Sequence, residues 1–334
     1  MNITAVIGVE LHAATKQIMS QSFIFPVVVL KLRYLDLSYN SFHGTIPTFI
    51  GSLIKLRFLN LGNNNLNGTI PTSVGSLTEL RLLSLSSDVS LFFIFNSSSS
   101  SIAYLYLGNN SLTSSMYRWL FPLTSNKLRV LDLSGNMLDG IPKYLGNLSS
   151  LETLSFYNNS AAVKFPDFLN NLSGCTSLSL QSLQASYNQF TGPLSDDIQK
   201  FSSLKHLYLS HNQLYGSISE KLWELPMLEE LDLYFNNLQV PSTYHLSGLF
   251  LMYDTTPLEF WDMWPSQLKY LNLSSNNISG TVPDLSSNFA TGSAIDLSSN
   301  NFSGPIPNVS STLSSLNLSR NKFSGGISLH MPNC

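Results

Sequence analysis

Tyr187, His211 and Phe235 recur at intervals of 24 residues, and Tyr208 stands the same interval before Asp232. With Tyr234 they make an aromatic set carrying one carboxylate, and Glu230 lies two residues from Asp232. Side chains of these types bind by stacking and hydrogen bonding, and rings held on a rigid surface are frequent anchors for a ligand. The alternative is a solvated surface with incidental tyrosines. Bond-breaking chemistry has no comparable set. The six histidines are scattered at His12, His43, His206, His211, His245 and His330. No carboxylate or cysteine completes a metal-ligand spacing around His206 and His211. There is no kinase signature, no G-x-S-x-G elbow, no H-E-x-x-H and no C-x-x-C. The expectation is a binding protein, not an enzyme, with no cofactor and no metal.

The elements that must position the aromatic set follow from a comb of asparagines. Asn40, Asn64, Asn110, Asn136, Asn159, Asn188, Asn212, Asn236, Asn276, Asn300 and Asn321 each close a run of the form L-x-x-L-x-L-x-x-N. In one unit Leu32, Leu35, Leu37 and Asn40 are followed by Phe42, Gly44, Ile46 and Pro47; the next repeats every position 24 residues on. A period in the 20–29 range with this pattern identifies leucine-rich repeats. Alternate residues of a strand face opposite ways, so the leucines point inward while Tyr34, Asp36 and Ser38 point out. The asparagines are expected to be scaffold. An Asn carries both a donor and an acceptor, and a column of them can satisfy the buried turn that follows each strand.

The fold class expected is an α/β, β-rich solenoid. It is a curved leucine-rich-repeat array with a parallel sheet on the concave face and about twelve repeats, if Asp88 stands in one Asn position. Residues 1–28 read as an irregular N-terminal segment without a clear cap. Repeats fill 29–240, with an irregular serine-rich loop at 90–101. Residues 241–265, which hold Tyr253, Phe260, Trp261 and Trp264, form either a protruding insertion or a degenerate repeat whose aromatics fill the core. Repeats resume over 266–334, with no C-terminal cap.

Composition supports this reading. Charged residues make up 11% of the chain, against roughly 25% in ordinary soluble domains. A net charge of −3 offers no footprint for nucleic acid or an anionic membrane. The apolar runs at 23–30 and 89–95 fall short of the roughly 20 residues a membrane helix needs, so no membrane span is expected within the chain. The N-terminus lacks a basic start and carries Glu10, which argues against a targeting segment. Cys175 and Cys334, distant in sequence, are weak evidence for a bridge and are read as free or unresolved.

The form L-x-x-L-x-L-S-x-N-x-L-x-G-x-I-P, with Gly44-Thr45-Ile46-Pro47, Gly68-Thr69-Ile70-Pro71, Gly280-Thr281-Val282-Pro283 and Gly304-Pro305-Ile306-Pro307, resembles the plant extracellular leucine-rich-repeat family. The stretch from Tyr270 to Phe289 is similar to plant receptor-like proteins of the group that includes fungal xylanase receptors. The resemblance implies a cell-surface ectodomain that binds a peptide, protein or glycan and signals through a partner receptor kinase in defence. Its place would be the extracellular face of the plasma membrane. It also implies caps at both ends, so the chain reads as part of such an ectodomain. Alternatives are a secreted inhibitor of microbial wall-degrading enzymes, or an inactive truncated remnant. Twelve N-x-S/T sequons fit a glycoprotein, and the candidates are Asn67, Asn96, Asn109, Asn147, Asn158, Asn171, Asn277, Asn301 and Asn308. Asn272 and Asn317 fall mid-strand, and Asn2 stands at the start.

Overall fold

The computed structural model describes residues 31–87, 91–93, 101–121, 127–239, 264–283, 285, 289–309 and 312–326. Its spine is a twelve-stranded parallel sheet in strict chain order, one three-residue strand per repeat, from Tyr34–Asp36 to Ser315–Asn317. Register is leucine on leucine: Leu35 pairs with Leu59, Leu59 with Leu83, and Leu231 with Leu271. The middle residue of the strand turns into the core and its two neighbours turn out, as the two-residue period of a strand requires. Leu105, Leu131, Leu154, Leu183 and Leu207 are fully buried. One continuous apolar cluster runs from Leu35 to Phe302. Burying one such leucine contributes roughly 1.5–3 kcal/mol, and every repeat places several.

After each strand the chain turns inside the solenoid, and the asparagine at that point bonds in two directions. Asn64 Nδ2 donates to Leu37 O at 2.9 Å in the preceding repeat and to Leu61 O at 2.7 Å in its own. Its Oδ1 accepts from the Phe42 N–H at 3.1 Å. Asn110, Asn136, Asn159, Asn188, Asn212, Asn236, Asn276, Asn300 and Asn321 repeat the donation across repeats. Among the described residues, which begin at 31, Asn40 bonds within its own turn, to Leu37 O and Ser38 O.

The second half of the unit builds short parallel ladders on another face, such as Thr191–Gly192, Gln213–Ser217 and Asn237–Gln239. Gly68 is left-handed (φ 82°), and a Cβ there would lie 2.8 Å from Thr45 Cγ2. Both reasons call for glycine. Ile46, Ile70 and Ile218 then return to the core, and short 3-10 turns such as Thr48–Ser52 and Asp196–Lys200 close the loop.

Two repeats are longer than the rest, and each has a physical explanation. The 29 residues from Asn159 to Asn188 contain the helix Phe165–Leu172, whose Phe165, Phe168, Leu169 and Leu172 are buried. Phe168 packs on Phe156 and Phe190 at ring distances of 5.3 and 4.8 Å. Thr176, fully buried, donates to Leu145 O and accepts from the Leu148 N–H, tying the extra segment to the preceding repeat. From Asn236 to Asn276 the chain takes 40 residues, yet Glu230 pairs directly with Tyr270 and Asp232 with Asn272. The asparagine bonds cross the interval unbroken, with Leu238 N–H on Asn276 Oδ1 at 3.0 Å. Trp264 is buried and lies 5.6 Å from the Trp223 ring and 5.4 Å from Phe289. Tyr253, Phe260 and Trp261 lie outside the described residues, as do segment 1–28, most of 90–101, and Cys334. Cys175 is exposed and free.

Candidate ligand-binding surface

The residue immediately before each ladder asparagine adopts a left-handed backbone. Tyr39, Asn63, Ser87, Asn109, Gly135, Asn158, Tyr187, His211, Phe235, Ser275, Ser299 and Arg320 all have φ between 52° and 61°. The cause is inter-repeat bonding. At this position the strand has ended, yet the N–H still donates to a carbonyl of the next repeat, as from Tyr187 to Ser210 O at 2.9 Å and from His211 to Tyr234 O at 2.8 Å. Asn and Gly suit this conformation. A larger residue loses roughly 1–2 kcal/mol there through the approach of Cβ to the following carbonyl.

Three consecutive repeats accept that cost with large rings: Tyr187, His211 and Phe235. The Tyr187 and His211 rings stack at 4.0 Å and 28°, and Phe235 lies 5.0 Å from His211. Tyr157, from the repeat before, meets Tyr187 edge-on at 5.2 Å, and Tyr234 meets His211 at 4.9 Å and 89°. Phe235 stays 55% exposed, Tyr187 45% and Tyr157 42%, so this mutual packing does not bury them. The left-handed backbone recurs along the array, but a run of bulky rings on it is local, and such side chains point to a site when they have no structural duty. Phe235 offers no polar group that its own turn could use.

Beside the ring ladder, Tyr208 is half-buried and its hydroxyl donates to Glu230. Burial, and then the Glu230 bond and charge, push the Tyr208 hydroxyl well above the usual phenol range. Asp232 is also half-buried and accepts from the Tyr234 N–H at 3.0 Å. Burial raises its carboxyl above the usual range, offset in part by the Tyr234 N–H, the Ser210 hydroxyl and His211. Tyr187, Tyr208, His211, Asp232, Tyr234 and Phe235 therefore share one face of three adjacent repeats. The left-handed column was missed in the sequence. Its signal was the small or amide residue, Asn63, Asn109, Asn158 or Gly135, standing directly before the ladder asparagine. Tyr157, two residues before its ladder asparagine, sits in register with Tyr234 and extends the aromatic face by one repeat.

Of the sequon asparagines, Asn67, Asn109, Asn147, Asn158, Asn277 and Asn308 are exposed. Asn171 and Asn301 are half-buried, and Asn171 Nδ2 donates to Ile141 O at 2.9 Å. Asn96 lies outside the described residues. Among the described residues no group of three or more His, Cys, Asp or Glu is placed to hold a metal ion. Among them, too, no helix is long and apolar enough to cross a membrane.

Leucine-rich-repeat models match residues 31–89 as a block, and 127–148, 179–201, 203–225, 267–289 and 312–334 as single repeats. Among solved structures the chain is similar to a TDR receptor, at 28% identity and a TM-score of 0.68, over 90% of this chain and 49% of that one. A leucine-rich-repeat protein of Leptospira interrogans, at 23% identity and a TM-score of 0.58, shares the fold over 87% of this chain and 73% of its own. In sequence, 109 residues are 36% identical to Toll-like receptor 6 of Bos taurus, covering 31% of this chain and 12% of that receptor. The chain thus spans about half the length of the TDR receptor structure and a small part of the Toll-like receptor.

Proposed function

This chain is a leucine-rich-repeat solenoid, and on that premise we propose that it is a non-catalytic ligand-binding segment of a cell-surface receptor ectodomain. The ligand, peptide- or pathogen-derived, lies on the outward face of the twelve-stranded sheet. The ectodomain belongs to a plant receptor-like protein that signals in defence through a partner receptor kinase. The likeness to a TDR receptor and the shorter one to Toll-like receptor 6 support a receptor reading.

One observation carries the placement of the ligand. Tyr187, His211 and Phe235 hold rings on left-handed backbone in three consecutive repeats, with Tyr187 and Phe235 exposed and His211 half-buried between them. That arrangement costs folding free energy and leaves apolar area in water, two expenses a bound ligand offsets. Selection from a random peptide library displayed on phage tests it, with the full chain immobilised. Peptides enriched on the wild type are expected to lose binding to a variant carrying Tyr187→Ser, His211→Asn and Phe235→Asn. Enriched peptides that bind this variant unchanged would place the ligand elsewhere, and absence of any enrichment would count against the reading as a whole.

A further inference from the structure

The outward positions of the twelve strands hold no lysine or arginine. Read in order the strands are YLD, FLN, LLS, YLY, VLD, TLS, SLQ, HLY, ELD, YLN, AID and SLN. They carry five carboxylates, at Asp36, Asp132, Glu230, Asp232 and Asp296. The cations stand one residue earlier, along the edge of the sheet, as Arg33, Arg57, Arg81, Arg129, Lys205 and Lys269. Glu152 and Glu229 share that edge position, so charge is sorted by position, with an acidic face and an edge of mixed sign that holds all of these cations.

The two sets are also partnered differently. On the edge, Arg57 pairs with Glu79 at 3.1 Å, Arg129 with Glu152 at 2.7 Å and Lys269 with Glu229 at 2.6 Å. On the face, among the described residues, the carboxylates take only neutral donors: Asp36 from Ser38, Asp132 from Ser134, Asp232 from the Tyr234 N–H, Asp296 from the Ser298 N–H and Asn317, and Glu230 from Tyr208. The turn does not require the charge. Asn60, Asn272 and Asn317 occupy the same strand position and accept the same backbone bond, from the N–H groups of Gly62, Ser274 and Ser319. A neutral amide oxygen makes that bond as well as an Asp does, so the negative charge is left over. At Asp232 burial disfavours the charged carboxylate, and an incoming cation would relieve that cost.

Glu230 and Asp232 are two residues apart on one strand and so point to the same side. The ring ladder of Tyr187, His211 and Phe235 flanks them, and its Tyr and Phe rings attract a planar cation to their faces. The ladder runs from repeat to repeat across the strands at steps of 4.0 and 5.0 Å, so its complement is an elongated chain. Resting on the ring-ladder reading above, we propose that the ligand is an extended polypeptide bearing arginine or lysine, its cation seated on Glu230 and Asp232 and its stem lying along the rings.

The test uses the full chain and two fluorescein-labelled synthetic peptides of about twelve residues, one alternating Arg and Gly, the other Glu and Gly, with binding read by fluorescence anisotropy. The Arg–Gly peptide is expected to bind. Glu230→Gln with Asp232→Asn, which keeps the hydrogen-bond acceptors and removes the charge, is expected to weaken it about tenfold or more. Asp196→Asn with Asp197→Asn, on the 3-10 turn away from the sheet, serves as the charge-matched control and is expected to stay within about twofold. Failure of the Arg–Gly peptide to bind, equal binding of the Glu–Gly peptide, or equal losses in the face and control variants would overturn the proposal. The ring variant separates the two readings. If it keeps Arg–Gly binding while the charge variant loses it, the ring-ladder reading fails and the cation assignment stands. If library-selected peptides need the rings but carry no excess of Arg or Lys, the cation assignment alone fails.

Discussion

The imidazole of His211 lies 4.0 Å from the ring of Tyr187, stacked at 28°, and both residues hold left-handed backbone, at φ 53° and 55°. Neither ring is needed by its own turn. The backbone bond that sets each φ comes from the main-chain N–H, and Asn158 makes the equivalent one with an amide side chain. The pair is thus a surface feature carried on scaffold geometry, and stability and binding should separate there.

His211→Asn and Phe235→Asn place a residue tolerant of left-handed backbone where a bulky one now stands. Each variant is expected to unfold within about 0.5 kcal/mol of the wild type or to be more stable, because the conformational gain offsets the lost ring contact. Binding to the sheet face should fall in the same proteins. Chemical denaturation and anisotropy on one preparation check both halves.

The asparagine ladder predicts a position-dependent cost. Asn212 is buried, donates to Ala185 O, Leu209 O and Ser210 O, and accepts from the Phe190 N–H. Asn212→Ala leaves the Phe190 N–H without this acceptor and takes one of two donors from each of Ala185 O, Leu209 O and Ser210 O, which keep Asn188, Asn236 and the Tyr187 N–H. It should cost about 1–3 kcal/mol. Asn40→Ala, whose bonds among the described residues are exposed and lie within one turn, should cost under about 1 kcal/mol. Equal losses at the two sites would show that the cross-repeat bond contributes little.

Thr176→Val tests how the longer repeat is held. The hydroxyl bridges Leu145 O and the Leu148 N–H in full burial. An isosteric methyl leaves those two groups only their long mutual bond of 3.4 Å, at a cost of about 1–3 kcal/mol. Amide exchange is the sensitive readout, with faster exchange expected at Leu148 and along the helix Phe165–Leu172 before global unfolding.

Asp232 sets a pH dependence. Burial raises its folded carboxyl above the ordinary range, and Tyr208, Glu230, His211 and Tyr270 are the titratable groups around it. A raised carboxyl binds its proton more tightly in the folded chain than in the unfolded one. Its contribution to stability is therefore complete below the unfolded value of about 3.9 and is lost as pH rises through the higher folded value. Asp232→Asn, which keeps the acceptor for the Tyr234 N–H, should melt above the wild type at neutral pH. That advantage should shrink as pH falls toward about 4. A difference in Tm independent of pH would contradict the assignment.

Glycan occupancy should follow exposure. In a secretory host, Asn67, Asn147, Asn277 and Asn308 are expected to carry glycans, since their side chains face solvent. Asn171, half-buried and bonded to Ile141 O, is expected to remain bare. Peptide mapping after enzymatic deglycosylation in heavy-oxygen water distinguishes the two classes.

The amino-acid sequence by itself determined the repeat, its strands and their register. Those follow from two short periods: alternation within Leu35-Asp36-Leu37, and the 24-residue step that sets Leu35 beside Leu59. Each rung contacts only its neighbours, so a one-dimensional reading suffices. It also brought Tyr187, Tyr208, His211, Asp232, Tyr234 and Phe235 onto one face, because residues in register must lie side by side. Only the tertiary structure decided the rest. The left-handed turn before each ladder asparagine arises from a bond to the next repeat, which no local propensity encodes for Phe235 or His211. Trp264 reaches Trp223 across the 40-residue interval because the sheet closes directly from Asp232 to Asn272. And among the described residues Glu230 and Asp232 pair with no lysine or arginine, while Glu229 pairs with Lys269, because Glu229 precedes the strand Glu230–Asp232 and stands at the sheet edge instead of on its face.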